Sequence, residues 1–105
     1  MENLDLACFQ LISHVGLAKS CYVEAIQEAK KGNYDKAKEK IKEGDESFVQ
    51  GHTSHASLIQ QEASGNPVQT TLLLVHSEDQ LMSAETIKLM AEELIDCYKK
   101  MNSLK

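Results

Sequence analysis

A chain of 105 residues has room for one small hydrophobic core, so a single domain over residues 1–105 is expected. Apolar residues make up 42% and charged residues 26%, ordinary for a globular protein, but aromatics are only 5% and Trp is absent, so the core has to be aliphatic. The net charge is -5 and every fixed cation is Lys, with no Arg to grip phosphates or base edges in bidentate fashion, which argues against nucleic acid as a partner.

One Pro and five Gly are too few breakers for a many-stranded protein and suit a few long helices, so the expected class is all-α. Cys8, Cys21 and Cys97 are too few and too widely spaced for a disulfide framework or a Cys-x-x-Cys metal site, and read as thiols in a reducing compartment. Glu2 and Asp5 precede any apolar stretch, no basic segment leads the chain, and the longest aliphatic run, Leu72 to Val75, is far short of a membrane span. A cytoplasmic location is the expectation.

The first helix is predicted over about residues 3–31. Leu4, Ala7, Cys8, Leu11, Ile12, Val15, Ala18, Tyr22, Ala25, Ile26 and Ala29 recur at i, i+3, i+4 spacing and form one stripe. Lys30 and Lys31 then complement a helix C-terminus, Gly32 suits the left-handed position beyond it, and Asn33 is a candidate N-cap for the second helix.

That second helix, 34–63, carries a weaker stripe through Tyr34, Ala37, Ile41, Phe48, His52, His55, Ile59 and Ala63. His52 and His55 form an i, i+3 pair; zinc would need two further ligands that the sequence does not supply, so they read as hydrogen-bonded or exposed. The next break, Ser64-Gly65-Asn66-Pro67, offers Asn66 as a cap, Pro67 at the first helical position and Gln69 in a capping box, which places the third helix at 67–102. Short connections make consecutive helices antiparallel, and about 30 residues at about 1.5 Å each extend roughly 45 Å, so an up-down-up three-helix bundle is expected.

The third helix holds the chemistry. Leu73, Gln80, Ala84, Ile87, Ala91, Leu94 and Tyr98 can face the other two helices, which leaves a second stripe, Val68, Leu72, Val75, Asp79, Met82, Thr86 and Leu89, without a partner in the chain. Packing against further copies of the chain would cover it. Asp79 is then anomalous, because an ionised carboxylate among aliphatic side chains is costly unless neutralised. Three copies around an axis would bring three such carboxylates together, a site for a hard divalent cation such as magnesium; an ordinary solvent-facing aspartate is the other reading.

His76 lies three residues before Asp79, so both project to one side of the helix. An imidazole that titrates near about 6.5 offers a free ring nitrogen at neutral pH and can attack phosphorus without a strong base. A lone helical histidine is also compatible with a plain surface or hydrogen-bonded role. There is no Gly-rich phosphate loop, no Ser/His/Asp order and no carboxylate pair set for acid/base work.

The run Leu73-Leu74-Val75-His76-Ser77-Glu78-Asp79-Gln80-Leu81-Met82 resembles the active-site helix of the lactose/cellobiose (chitobiose) family of enzyme IIA proteins of the bacterial sugar phosphotransferase system. Gly16-Leu17-Ala18-Lys19-Ser20 resembles that family's first helix, Ala29-Lys30-Lys31-Gly32-Asn33-Tyr34 its first turn, and Leu58-Ile59-Gln60-Gln61-Glu62-Ala63-Ser64-Gly65 the end of its second helix, so the resemblance spans nearly the whole chain. It implies a homotrimer of three-helix protomers with a metal ion, Mg2+ in the simplest case, held on the axis by Asp79 of each chain. It implies a phosphohistidine at His76, which takes phosphate from the general phosphocarrier HPr and passes it to a cysteine of the cognate IIB protein. The membrane IIC component is then reached only indirectly, during disaccharide uptake.

Two positions depart from the family pattern. Gln80 stands where a second histidine is usual; it can donate a hydrogen bond to a phosphoryl oxygen but carries no charge. His55 stands where a glutamine is usual, while His52 matches the family's helix-two histidine. Two other classes compete with this one. A two-component histidine phosphotransfer domain also uses an exposed helical histidine, but a Lys-Gly pair follows it there, whereas Ser77-Glu78-Asp79-Gln80 follows His76. A non-enzymatic helical adaptor is suggested by Gly32-Asn33-Tyr34-Asp35-Lys36-Ala37, which resembles a tetratricopeptide turn; such units need about three stacked copies, and the chain holds one.

Overall fold

The computed structural model describes residues 2–104, which form three helices: α1 (Glu2–Lys30), α2 (Tyr34–Ala63) and α3 (Leu72–Ser103), with no strand among the described residues. Residues 1 and 105 of the expected domain lie outside them. The helices lie side by side in a rod of 58 × 20 × 18 Å.

α1 is the spine. Cys8, Leu11, Val15, Ala18, Tyr22, Ala25 and Ala29, alternating in steps of three and four, are all fully buried, as the stripe requires. Partner numbers fall along α2 as they rise along α1: Tyr22 Oη donates to Asp45 at 2.7 Å, while Gly51 abuts Val15. They rise together along α3, where Leu81 and Ala84 pack with Leu11 and Val15, Ala91 with Ala18 and Tyr22, and Ile95 with Ala25 and Ala29. The arrangement is therefore up-down-up, as expected. Both outer helices pack along α1, whereas α2 and α3 touch each other sparsely.

By length and apolar content residues 3–30 reach what a bilayer crossing needs, but the buried side of that helix is the bundle's own core. Cys8 and Cys21 belong to this core and Cys97 is exposed. Burial, reinforced by Glu43 and Glu24, pushes the Cys21 thiol above its ordinary range.

The inward face of α2 corrects the expected stripe. Ala37, Gly44, Gly51 and Leu58, seven residues apart, are buried, whereas His52, Ile59 and Ala63 are exposed. Tyr34, Ile41 and Phe48 flank the buried line. The glycines are there for space: a Cβ on Gly44 would stand 2.6 Å from Tyr22 Cε1, and one on Gly51 would stand 2.8 Å from Val15 Cγ1. Apolar spacing alone does not register them, because a glycine in a close helix contact contributes absence of bulk rather than hydropathy.

Both connections begin with the same closure. Gly32 (φ +85°) and Gly65 (φ +93°) take the left-handed conformation, and the N–H groups of Asn33 and Asn66 reach back to the carbonyls of Glu28 and Gln61 at 2.9 and 3.2 Å. Asn33 does not cap α2 with its side chain; its Nδ2 donates to Glu28.

The expected start of α3 at Pro67 is overturned: although Asn66 closes α2 just as Asn33 closes α1, no helix follows it directly. The chain runs on without helix until Thr71, whose extended backbone (φ -123°, ψ 166°) and Oγ1, accepting from Leu74 N at 3.1 Å, make it the N-cap. α3 begins at Leu72 and ends one residue beyond the expected Asn102, and α1 ends at Lys30 rather than Lys31.

Candidate functional site

The first turns of α3 are anchored by Ser77, fully buried, whose Oγ donates to the Leu74 carbonyl at 2.8 Å, and by Leu81 and Ala84, packed on Leu11 and Val15. With that seam against α1, helical geometry fixes the rest: residues one turn apart share a side. His76 and Gln80 fall on one shoulder of α3, and Asp79 sits beside them toward the outside. His76 and Asp79 are exposed and Gln80 is half-buried. The three residues singled out from the sequence therefore lie together.

His76 is exposed, and no hydrogen bond ties its ring to another described residue. Gln80 is held: Lys19 Nζ, from α1, donates to its Oε1 at 3.2 Å. Glu78 lies on the opposite shoulder, where its Oε2 stands 2.6 Å from His55 Nε2, a link across the sparse seam between α2 and α3. Its carboxylate is thereby turned from His76. His55 is thus hydrogen-bonded, whereas His52 is exposed against the Phe48 ring, centroids 6.2 Å apart. Among the described residues no three His, Cys, Asp or Glu side chains gather into a metal site within one chain.

The unpartnered stripe is where the sequence places it. Leu72 (86% exposed), Val75, Met82 and Leu89 stand out from α3, with Asp79 and Thr86 between them, and Val68 in the preceding linker is half-buried. On α1, Leu6, Phe9, Leu17 and Val23 are exposed as well. Scattered exposed aliphatics such as those on α1 are ordinary, but a line of them along one face of α3 is surface that water does not favour.

The expected inward stripe of α3 holds at Ala84 and Ala91, but Ser77, Leu81 and Ile95 are buried beside them while Leu73, Gln80, Ile87, Leu94 and Tyr98 are half-buried, and two cross-helix bonds also escaped the sequence. The Lys19–Gln80 bond joins residues 61 positions apart, and the His55–Glu78 bond joins residues 23 apart. Spacing along one helix gives no hint of either, although both lysine and glutamine fall inside segments that carry the family resemblance.

Residues 6–99 match the family described as "PTS system, Lactose/Cellobiose specific IIA subunit". A lichenan-specific phosphotransferase enzyme IIA component of Bacillus subtilis is 40% identical over 99 residues, covering 94% of this chain and 90% of that protein. A lactose-specific EIIA component of Streptococcus mutans is 32% identical, with 94% and 95% covered. Among solved structures, the cellobiose-specific enzyme IIA of Bacillus anthracis superposes with a TM-score of 0.91 at 40% identity, over 93% of this chain and 90% of that one. An up-down-up bundle of this shape with these relatives has one consistent assignment: the chain belongs to the lactose/cellobiose-specific IIA family of the sugar phosphotransferase system.

Proposed function

We propose that the protein is a phosphohistidine carrier that accepts a phosphoryl group from HPr on His76 and delivers it to a cysteine of its cognate IIB protein, for uptake of a disaccharide of the lactose, cellobiose or chitobiose type. The observation that carries this is the open imidazole of His76 on a rigidly packed helix, in a chain of this family. A ring nitrogen attacks phosphorus; the N–P bond forms as the bond to the donor breaks, and the electron pair leaves with the donor. In the second step the IIB thiolate attacks, the S–P bond forms, and the pair returns to the imidazole. Partners supply the leaving group and the next nucleophile, so the chain contributes positioning and charge management. Gln80, one turn on, supports the group by donating to a phosphoryl oxygen.

The assembly belongs to the same proposal. Three protomers pack through the α3 stripe, and Asp79 of each meets the others on the axis. A carboxylate standing alone within an exposed apolar line suits that role: oxygen donors fit magnesium, and the cation would offset three charges drawn into a dry interface. A cytoplasmic location is proposed with it, since HPr and IIB must both reach His76.

The test is labelling with phosphorylated HPr and mapping of the acid-labile phosphate. His76→Ala should lose all labelling with helicity unchanged. Labelling that persists would redirect the reading to His14, His52 or His55, and no incorporation into the wild type would favour the helical adaptor.

A further inference from the structure

The first half of α3 is poor in compensating charge. From Leu72 to Ile87 it contains Glu78, Asp79 and Glu85 and no Lys, and Lys88, the first cation along it, pairs with Asp45 at 3.1 Å. A phosphoryl group on His76 adds up to two negative charges and three acceptor oxygens to this surface. Its counter-charge has to come from another element.

Lys19 of α1 is placed to supply it. Three lysines elsewhere on the bundle are engaged with carboxylates: Lys40 with Glu24 and Glu43 at 3.0 and 3.3 Å, Lys31 with Glu28, and Lys88 with Asp45. Lys19 is engaged instead with a neutral amide, and among the described residues no carboxylate pairs with it. Glu24, which shares the groove beside Lys19 with Ser20, Val23 and Ile87, is turned to Lys40.

The direction of reach also matters. α1 and α3 run parallel, and by packing level Lys19 lies closer to Lys88 than to Gln80, since Val15 packs with Ala84 and Tyr22 with Ala91. Its side chain therefore leans toward the N-terminal end of α3, where His76 stands, as helical side chains do.

The bond fixes the amide as well. An ammonium only donates, so Gln80 Oε1 has to face Lys19, and the NH2 end is left to serve another acceptor. We propose that Lys19 and Gln80 act as a pair at the phosphoryl site: the ammonium holds the amide with its N–H groups free for a phosphoryl oxygen on His76, and it supplies the positive charge that α3 lacks. Lys19 is a positioning residue in this scheme, and the inference rests on His76 being the acceptor.

The experiment compares wild type, Lys19→Met, Lys19→Arg, Gln80→Leu and the double variant Lys19→Met/Gln80→Leu as full chains, with phosphorylated HPr as the probe. Lys19→Met should be labelled about a hundredfold more slowly at unchanged thermal midpoint, the lower end of what losing one donor to a developing anion costs. Lys19→Arg should restore most of the rate, and the double variant should be no slower than the slower single one, because the two act as a unit. Labelling of Lys19→Met at the wild-type rate, or a deficit that Lys19→Arg does not restore, would overturn the pairing while leaving His76 as acceptor. Absence of labelling in the wild type would overturn both.

Discussion

Tyr22 is fully buried at the centre of the bundle, and its phenol donates to Asp45, which also receives Lys88. Burial and then that hydrogen bond raise the phenol well above its ordinary value. The folded-state value exceeds the unfolded value of about 10, so this contribution to stability is complete below about pH 10 and is lost as pH climbs toward the folded value. Tyr22→Phe should cost about 1 kcal/mol near neutrality through the lost hydrogen bond, and its stability should decline less than that of the wild type from pH 9 to about pH 11. Urea melts at the two pH values measure both effects. At this scale the sequence places Tyr22 in the α1 stripe correctly but is silent about Asp45, because a partner 23 positions away on another helix is set by how the helices dock. The same reason hid Lys19 from Gln80. His76, Asp79 and Gln80 were legible together because their relation is internal to one helix, where spacing is geometry.

The helices themselves were largely legible. Their stripes, the two left-handed glycines and the basic end of α1 give bounds within a residue or two for α1 and α2. The start of α3 was not, since Asn66-Pro67 and Thr71 are both acceptable helix signals. What separates them is the cap that forms: Thr71 is extended and its Oγ1 accepts from the Leu74 N–H. Thr71→Ala should therefore destabilise the protein by about 1 kcal/mol, while Asn66→Ala should change stability far less, as read from paired denaturation curves. α2 misled in the opposite sense. Its inward line passes through Gly44 and Gly51, and a hydropathy pattern sees glycine as a gap where the structure has α1 side chains too close to admit a Cβ.

For the molecule as a whole, the exposed line on α3 and the carboxylate of Asp79 lying in it bear on assembly. Under the proposed trimer, Asp79→Leu should make association independent of magnesium and at least as tight as in the wild type, because a buried charge cluster is exchanged for apolar contact. Sedimentation with magnesium and with a chelator measures this, and a wild-type monomer in magnesium would count against the axial cation. Sequence patterning exposed the spare stripe on α3 but did not register the exposed Leu6, Phe9, Leu17 and Val23 of α1, which are not spaced as a single stripe.

Under the proposed relay through His76, the open setting of that residue has a kinetic consequence. An imidazole with no cleft around it gives donor and acceptor the same small landing area, so the two cannot be docked on it together, and turnover has to alternate between them. Such a shuttle obeys ping-pong kinetics, in which an excess of either protein slows the cycle by occupying the form of the carrier that the other requires.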